Sequence, residues 1–534
     1  MSAAALALPG AARARALPLS TIAGLLLVVL VWELLARFLL AGSYALAPPS
    51  AIAARIVEDR ALYARALSIT LGEAALGFLF GSFAALVLAA FVNILPRTER
   101  VVQGLALVVF CLPLVATGPI LRVLFGPGIG PQVTLAALGV YYTTFVPLVV
   151  GLRAVPAGWL DLVASYGRGR LSAFAYVRAR ASVPYLVAGL QIAAPAAFLG
   201  AMVGEFTGAD QGMGVLSIQT MRSLDVDGTW ALATIATVVA IAGYLLVGAI
   251  GRLLAPGTPP LLLSAAPPAA RVASRQWLSG LGVFALTTVI VLVAWQGAMD
   301  LFGLNRFFAK RPLDVLAYLV TGPEAGAHRA VLFSALGQTL VVTIPGYLAG
   351  LALGAIIAAV FQLLPLVARV ATPLAIALRS IPIVATAPLI VLGFGRGLAG
   401  MLVIVAVMNF FPTLVACAQG LRQTPGQVID FFSVFATGRI RTLFLARIPV
   451  MLPAFFAAAR MAVPSAVLAA TVAEWLATGT GIGNLMALTA STSNYNMLWS
   501  CVVVLTLVSV CGYLLVGAAE RWALTRFAPE QVAQ

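Results

Sequence analysis

The chain has 534 residues, of which 62% are hydrophobic and only 9% charged, with a formal net charge of +15. A soluble domain carries about a quarter of its residues as charged side chains, so this composition excludes a water-soluble globular protein. The basic excess reads as arginine flanking apolar segments and facing anionic lipid rather than as a nucleic-acid surface.

Runs of about 20 apolar residues, the length a helix needs to cross a bilayer core of roughly 30 Å, recur along the whole chain. Arg13 and Arg15 precede the first run, near 21–41, which carries Glu33 and Arg37 and is too long for a secretory leader. It reads as a retained span, with the two charges as a self-neutralising pair one helical turn apart. Further spans are predicted near 68–93, 101–124, 131–152, 183–204 and 229–253, then near 278–300, 334–361, 370–393, 398–420, 451–473 and 497–519.

The two sets of six are copies of one another. A shift of 269 residues aligns Thr70 with Thr339, Gly77 with Gly346, Gly81 with Gly350, Pro113 with Pro382 and Pro119 with Pro388. The same shift superposes Gly151-Leu152-Arg153 on Gly420-Leu421-Arg422, Pro184 on Pro453, Glu205 on Glu474, Gly212 on Gly481 and Gly214 on Gly483. Glycines and prolines in register over that distance mark a duplication. An even number of spans per copy returns the chain to its starting side, so the copies insert in parallel. The expected organisation is a tail (1–20), a first unit (21–254), a Pro/Ala/Ser-rich linker (255–274) and a second unit (275–528). Arginines concentrate in the loops between the fourth and fifth spans, which places those loops, the linker and both termini in the cytoplasm.

Those four–five loops, 156–184 and 425–453, each contain a helical stretch, a turn, a second short helix and a proline at the mouth of the next span. On residue chemistry alone they suit either docking into a partner or lying flat on lipid headgroups. Glu205 and Glu474 each close a fifth span ahead of a Gly-x-Gly turn, Gly212/Gly214 and Gly481/Gly483, as an outer gate with its hinge or as an interfacial carboxylate with a turn. Arg379 lies inside a third span opposite Phe110 of the first copy, and Asn409 opposes Val140, so the copies differ where a solute would pass. Pro113 and Pro382 interrupt the third spans, which fits a pathway lining or packing kinks.

The loops resemble the EAA loop of binding-protein-dependent ABC importer permeases. Asp161 and Asp430 stand at the Glu position, Gly167 and Ala436 at the glycine, and Pro184, Pro449 and Pro453 in the closing segment, where Arg180 replaces the earlier proline of the first copy. Trp32-Glu33, Trp295-Gln296, Pro48-Pro49-Ser50, Ile381-Pro382 and the two Glu…Gly-x-Gly sets are similar to the nitrate/sulfonate/taurine branch. The resemblance implies an all-α fold of two tandem six-helix type I permease units, about twelve transmembrane helices, in a bacterial inner membrane. It implies a pathway for a small organic or inorganic anion such as a sulfonate, taurine or nitrate. The expected partners are two copies of a cytoplasmic ATPase, an extracytoplasmic solute-binding protein and membrane lipid. A major-facilitator-type carrier is the alternative, but its basic loop between spans two and three is not matched by NILPRTER. Lys310 is the single lysine and stands in FFAKRPL, so the chain has no phosphate-binding P-loop, and ATP with Mg is expected only on the partner. Cys111, Cys417, Cys501 and Cys511 lie in apolar runs and His328 is alone, so neither a disulfide framework nor a metal site is expected.

Overall fold

The computed structural model describes residues 19–39, 46–254, 275–364 and 397–527, with positions 367, 387, 390, 394 and 395 between them. The tail up to residue 18, the linker and most of the second unit's predicted third span, with Arg379, Pro382 and Pro388, lie outside the described residues. In the first unit the helices are α1 (Leu19–Leu34), α2 (Pro49–Glu58), α3 (Arg60–Ile94), α4 (Glu99–Phe110), α5 (Leu114–Phe125) and α6 (Gly130–Arg153). They continue as α7 (Ala157–Ser165), α8 (Arg170–Ala173), α9 (Ala179–Phe206), α10 (Met213–Arg222) and α11 (Val226–Leu254). The second unit begins with α12 (Arg275–Leu301), α13 (Pro312–Leu316) and α14 (Ala325–Leu363). It continues with α15 (Leu398–Arg422), α16 (Gly426–Val434), α17 (Arg439–Thr442), α18 (Ile448–Ala473), α19 (Gly481–Ser491) and α20 (Tyr495–Phe527). Among the described residues there is no strand, and nine helices are long and apolar enough to span a membrane, ten if a bent pair counts as one.

That bent pair corrects one expectation. The third span of the first unit, predicted as one helix near 101–124, is two helices, α4 and α5, meeting at 90°. Pro113 has no N–H to continue the ladder and takes an extended conformation (φ −73°, ψ 101°) as the residue that opens α5. The break carries α5 into the other unit: Ala116 and Ile120 pack with Leu332, Ile482 and Leu498. On the other side of the break, Gly104 of α4 faces Thr287 of α12.

Lipid gives helices no hydrophobic reason to associate, so packing depends on close backbone approach at small residues. Gly77 and Gly81 sit one turn apart on α3 against α6, where a Cβ at Gly81 would lie 2.9 Å from the Val140 Cβ. The second unit repeats the contact, a Cβ at Gly350 on α14 lying 3.1 Å from the Asn409 Cβ on α15. The fifth spans, α9 and α18, complete a three-helix core in each unit with α3 and α6 or α14 and α15. The first-span tryptophans repeat a second device. Trp32 and Trp295 each donate Nε1–H across fifteen residues, to the carbonyls of Ala47 and Lys310, both at 3.0 Å. Each also packs on the last span of its own unit, on Trp230 and Trp499. The Glu33/Arg37 pair forms as expected, and Ser50 bonds to both partners.

Gly350→Ala should destabilise the protein by roughly 1–3 kcal/mol through overpacking. Gly337→Ala on the same helix, with no neighbour within 4 Å, should be neutral or stabilising. Thermal unfolding of the two variants in one detergent checks the contrast.

Candidate functional site

Glu205 and Glu474 are each only 1% exposed, so they are not interfacial carboxylates. A buried carboxylate needs donors on its oxygens, and the chain supplies them from two distant elements. Thr70 of α3 donates to Glu205 Oε1 at 2.5 Å, and the Gly214 N–H at the start of α10 donates to Oε2. The Thr70 hydroxyl oxygen in turn accepts the Met213 N–H at 2.9 Å. The second unit repeats each bond. Thr339 reaches the Glu474 carboxylate at 2.7 Å, Gly483 N–H donates to Oε2 at 2.8 Å, and Ile482 N–H donates to the Thr339 hydroxyl at 2.9 Å.

The first N–H groups of a helix have no partner within it, and its N-terminus favours negative charge. Each glutamate therefore caps α10 or α19 from seven or more residues upstream while holding the second span through the threonine. The glycine that opens each helix, Gly212 just before α10 and Gly481 as the first residue of α19, is required sterically, because a Cβ at Gly212 (φ +130°) or Gly481 (φ +82°) would run into the carboxylate. The sequence reading found the glutamates and glycines but not Thr70 and Thr339 as their partners, although both were in register. It also missed Glu73, which lies against Glu205 at 4% exposure with Oε2 unpartnered, where the second unit has Val342.

The four–five loops depart from expectation in one respect. The second short helix is not separate: α8 passes through a π-helical turn, Phe174–Arg178, straight into α9, and α17 passes through Leu443–Arg447 into α18. Pro184 and Pro453 therefore lie inside the fifth spans rather than at their mouths, while Pro449 sits in the first turn of α18. The turn after α7 and α16 is the same in both units. Gly167 (φ +68°) and Ala436 (φ +50°) both take the left-handed conformation, and their N–H groups donate to Ala164 and Ser433 at 2.9 and 3.0 Å. Alanine thus holds a glycine conformation at a cost of about 1–2 kcal/mol. Asp161 and Asp430 are exposed, beside exposed apolar surface at Trp159, Tyr166, Phe431 and Val434.

Between the units lies a cavity of about 340 Å³ with walls from both: Phe110, Tyr142 and Ile192 of the first, Asn409, Gln419 and Met461 of the second. From Asn409 to Gln423 it follows about four turns of α15 toward the four–five loops. At the other end, the side of the glutamate clamps, Val115, Val203 and Phe206 close against Ile404, Ala470 and Val472. The break at Pro113 serves both ends, leaving Phe110 in the cavity wall and Val115 in the seal. Beside the cavity Arg460 pairs with buried Glu520 at 3.1 Å. Sequence reasoning passed over this intramembrane pair, although the register set Gln191 and Gly251 opposite it.

Thr339→Val should cost roughly 1–3 kcal/mol by leaving buried groups unsatisfied, and should couple to Glu474→Gln in a double-mutant thermal-unfolding cycle. Ala436→Gly should raise stability by about 1 kcal/mol in the same assay, and Gly167→Ala should lower it by a similar amount.

The family model described as "binding-protein-dependent transport system inner membrane component" matches the chain twice, over residues 77–258 and 350–526. A probable ABC transporter permease protein of Haemophilus influenzae is 30% identical over 238 residues, 45% of this chain and 93% of the relative. The formylaminopyrimidine transport permease of Halalkalibacterium halodurans is 27% identical over 44% of this chain and 91% of its own length. A putative aliphatic sulfonates transport permease of Bacillus subtilis is 24% identical over 32% of this chain and 63% of its own. The first two relatives are covered almost whole by less than half of this chain, as a fused pair of units requires. The chain belongs to the binding-protein-dependent transport system inner membrane component family, as two ABC importer permease units joined in one polypeptide.

Proposed function

We propose that this single chain supplies both halves of the translocation pathway of an ABC importer. The observation that carries the reading is the cavity walled by both units, closed at the clamp end and directed toward the four–five loops. Arginine placement puts those loops and both termini on the cytoplasmic face of a bacterial inner membrane. Two separate ATPase subunits dock there, one on α7–α8 and one on α16–α17, through Asp161, Asp430 and the exposed aromatic residues around them. The continuity of α8 with α9 and of α17 with α18 supports this, since a push on either loop helix passes into the fifth span without an intervening hinge. A solute-binding protein delivers cargo to the opposite face, where Glu205 and Glu474 with their glycine turns hold the outer gate. ATP and Mg bind the ATPase subunits, not this chain.

The solute is a small organic molecule. The formylaminopyrimidine permease relative aligns over 91% of its length, the sulfonate relative over 63%. An anionic solute remains the reading in which Arg379 contributes the cation. The family match supports the ABC permease reading over the carrier alternative.

Native mass spectrometry of the permease purified with its ATPase should give one permease to two ATPase subunits. A stable assembly of two permease chains with two ATPases would overturn the fused-pathway reading. Asp161→Lys with Asp430→Lys should weaken ATPase association about tenfold or more, about 1.4 kcal/mol, and leave membrane insertion unchanged.

A further inference from the structure

The first clamp contains an acid that the second lacks. Glu73 stands on α3 three residues after Thr70, so the two side chains share the helix face that meets α9. It is 4% exposed and lies within hydrogen-bonding reach of Glu205, itself 1% exposed. The second unit has Val342 at this position, and no second carboxylate lies against Glu474 there.

The available donors decide which form the pair takes. Both Glu205 oxygens are supplied, Oε1 by the Thr70 hydroxyl and Oε2 by the Gly214 N–H. Oε2 of Glu73 is buried with no donor on it. An ionised carboxylate only accepts, so as an anion Glu73 would be an orphan acceptor pressed against a second negative charge. A protonated carboxyl group carries one O–H, and the acceptor it faces is Glu205. One proton therefore turns the orphan into a third donor on Glu205 and removes the repulsion in the same step.

Among the described residues no cation supplies an alternative. Arg55 of α2 is held by Asp59 and Asp225 at 3.2 and 3.1 Å with Tyr63 beside it, and Arg122 of α5 lies on Gly208. Arg60 and Arg65 of α3, Asp210 in the turn, Arg222 at the end of α10 and Asp227 in the first turn of α11 are exposed. From α6 comes the uncharged amide of Gln132, beside Gly204. None of these groups bonds to either glutamate.

We propose that Glu73 and Glu205 form a proton-binding site, one proton held between them locking the first clamp. Its loss leaves two charges in contact; they separate, and Glu205 loosens its hold on Thr70 and on α10. The consequence for transport rests on the reading of the clamps as the outer gate: one half of that gate is held by a proton, the other by the bonds of Thr339 and Gly483 alone.

The full chain in lipid nanodiscs is compared with Glu73→Gln, whose amide donates without needing a proton, and with Glu73→Val, which installs the second unit's own residue. Where the folded protein binds one proton more than the unfolded chain, stability falls as pH rises, by up to about tenfold in the folding equilibrium per pH unit. From about pH 5, above the ordinary carboxyl range, to about pH 9, wild-type unfolding temperature should therefore fall relative to both variants. Infrared difference spectra at neutral pH should show the carbonyl band of a protonated carboxylic acid in the wild type that either variant loses. Wild-type and variant curves that run parallel across this range, or an acid band that both variants keep, would overturn the proposal. So would a stability difference that follows sodium concentration at fixed pH, which would assign the site to a metal cation. These readouts concern the clamp alone, so their failure leaves the shared pathway standing, and the one-to-two complex with ATPase tests that separately.

Discussion

A carboxylate buried in a membrane protein has to be surrounded by donors, and in this chain that requirement organises both units. Glu205 and Glu474 draw their donors from a threonine on the second span and from the free N–H groups of the helix that follows the fifth span. Three elements that share no regular hydrogen bonding are thereby fixed at one point in each unit. The glycines that follow are a consequence, since only a residue without Cβ lets the backbone approach so closely. The apolar seal at Val203, Phe206, Ala470 and Val472 lies on α9 and α18 within four residues of those glutamates, so clamp and seal share the same helix ends.

On that shared frame the units have diverged where they face one another. The frame positions, Thr70/Thr339, Gly81/Gly350 and Glu205/Glu474, are the same in both. The wall and its surroundings differ: Val140 against Asn409, Gln191 against Arg460, Gly251 against Glu520, Glu73 against Val342. Two separate identical chains must present the same residue on both sides of a pathway. Fusion removes that requirement, and these four differences place polar or charged groups within the membrane in one unit only.

Much of the architecture was legible because helix packing in lipid depends on small residues and helix breakers, and these kept register through the duplication. The Glu…Gly-x-Gly sets were legible as motifs, yet their meaning was not. The threonine that completes each set is 135 residues from its glutamate, a pairing that only the packing of α3 on α9 brings together. The right angle at Pro113 was missed because a proline within an apolar run is equally consistent with a mild kink, and the choice depends on whether the next helix finds partners in the other unit. Ala436 stands where the first unit has Gly167, a change that says nothing by itself of the backbone, which keeps the left-handed turn in both units. Arg460 was visible as a charge within a span and Glu520 just past the end of one; their pairing needed the approach of α20 to α18.

The central claim is that the two units enclose one pathway, open toward the four–five loops and sealed at the clamp end. Substituted-cysteine labelling tests it most directly, in a variant lacking the four native cysteines and embedded in sealed membrane vesicles of known orientation. Ser165→Cys in the first loop identifies the loop face for a membrane-impermeant maleimide. Gln419→Cys in the cavity wall should label from that same face alone, and Ala470→Cys in the seal from neither. Labelling of Ala470→Cys from the opposite face, or of Gln419→Cys equally from both, would contradict the account.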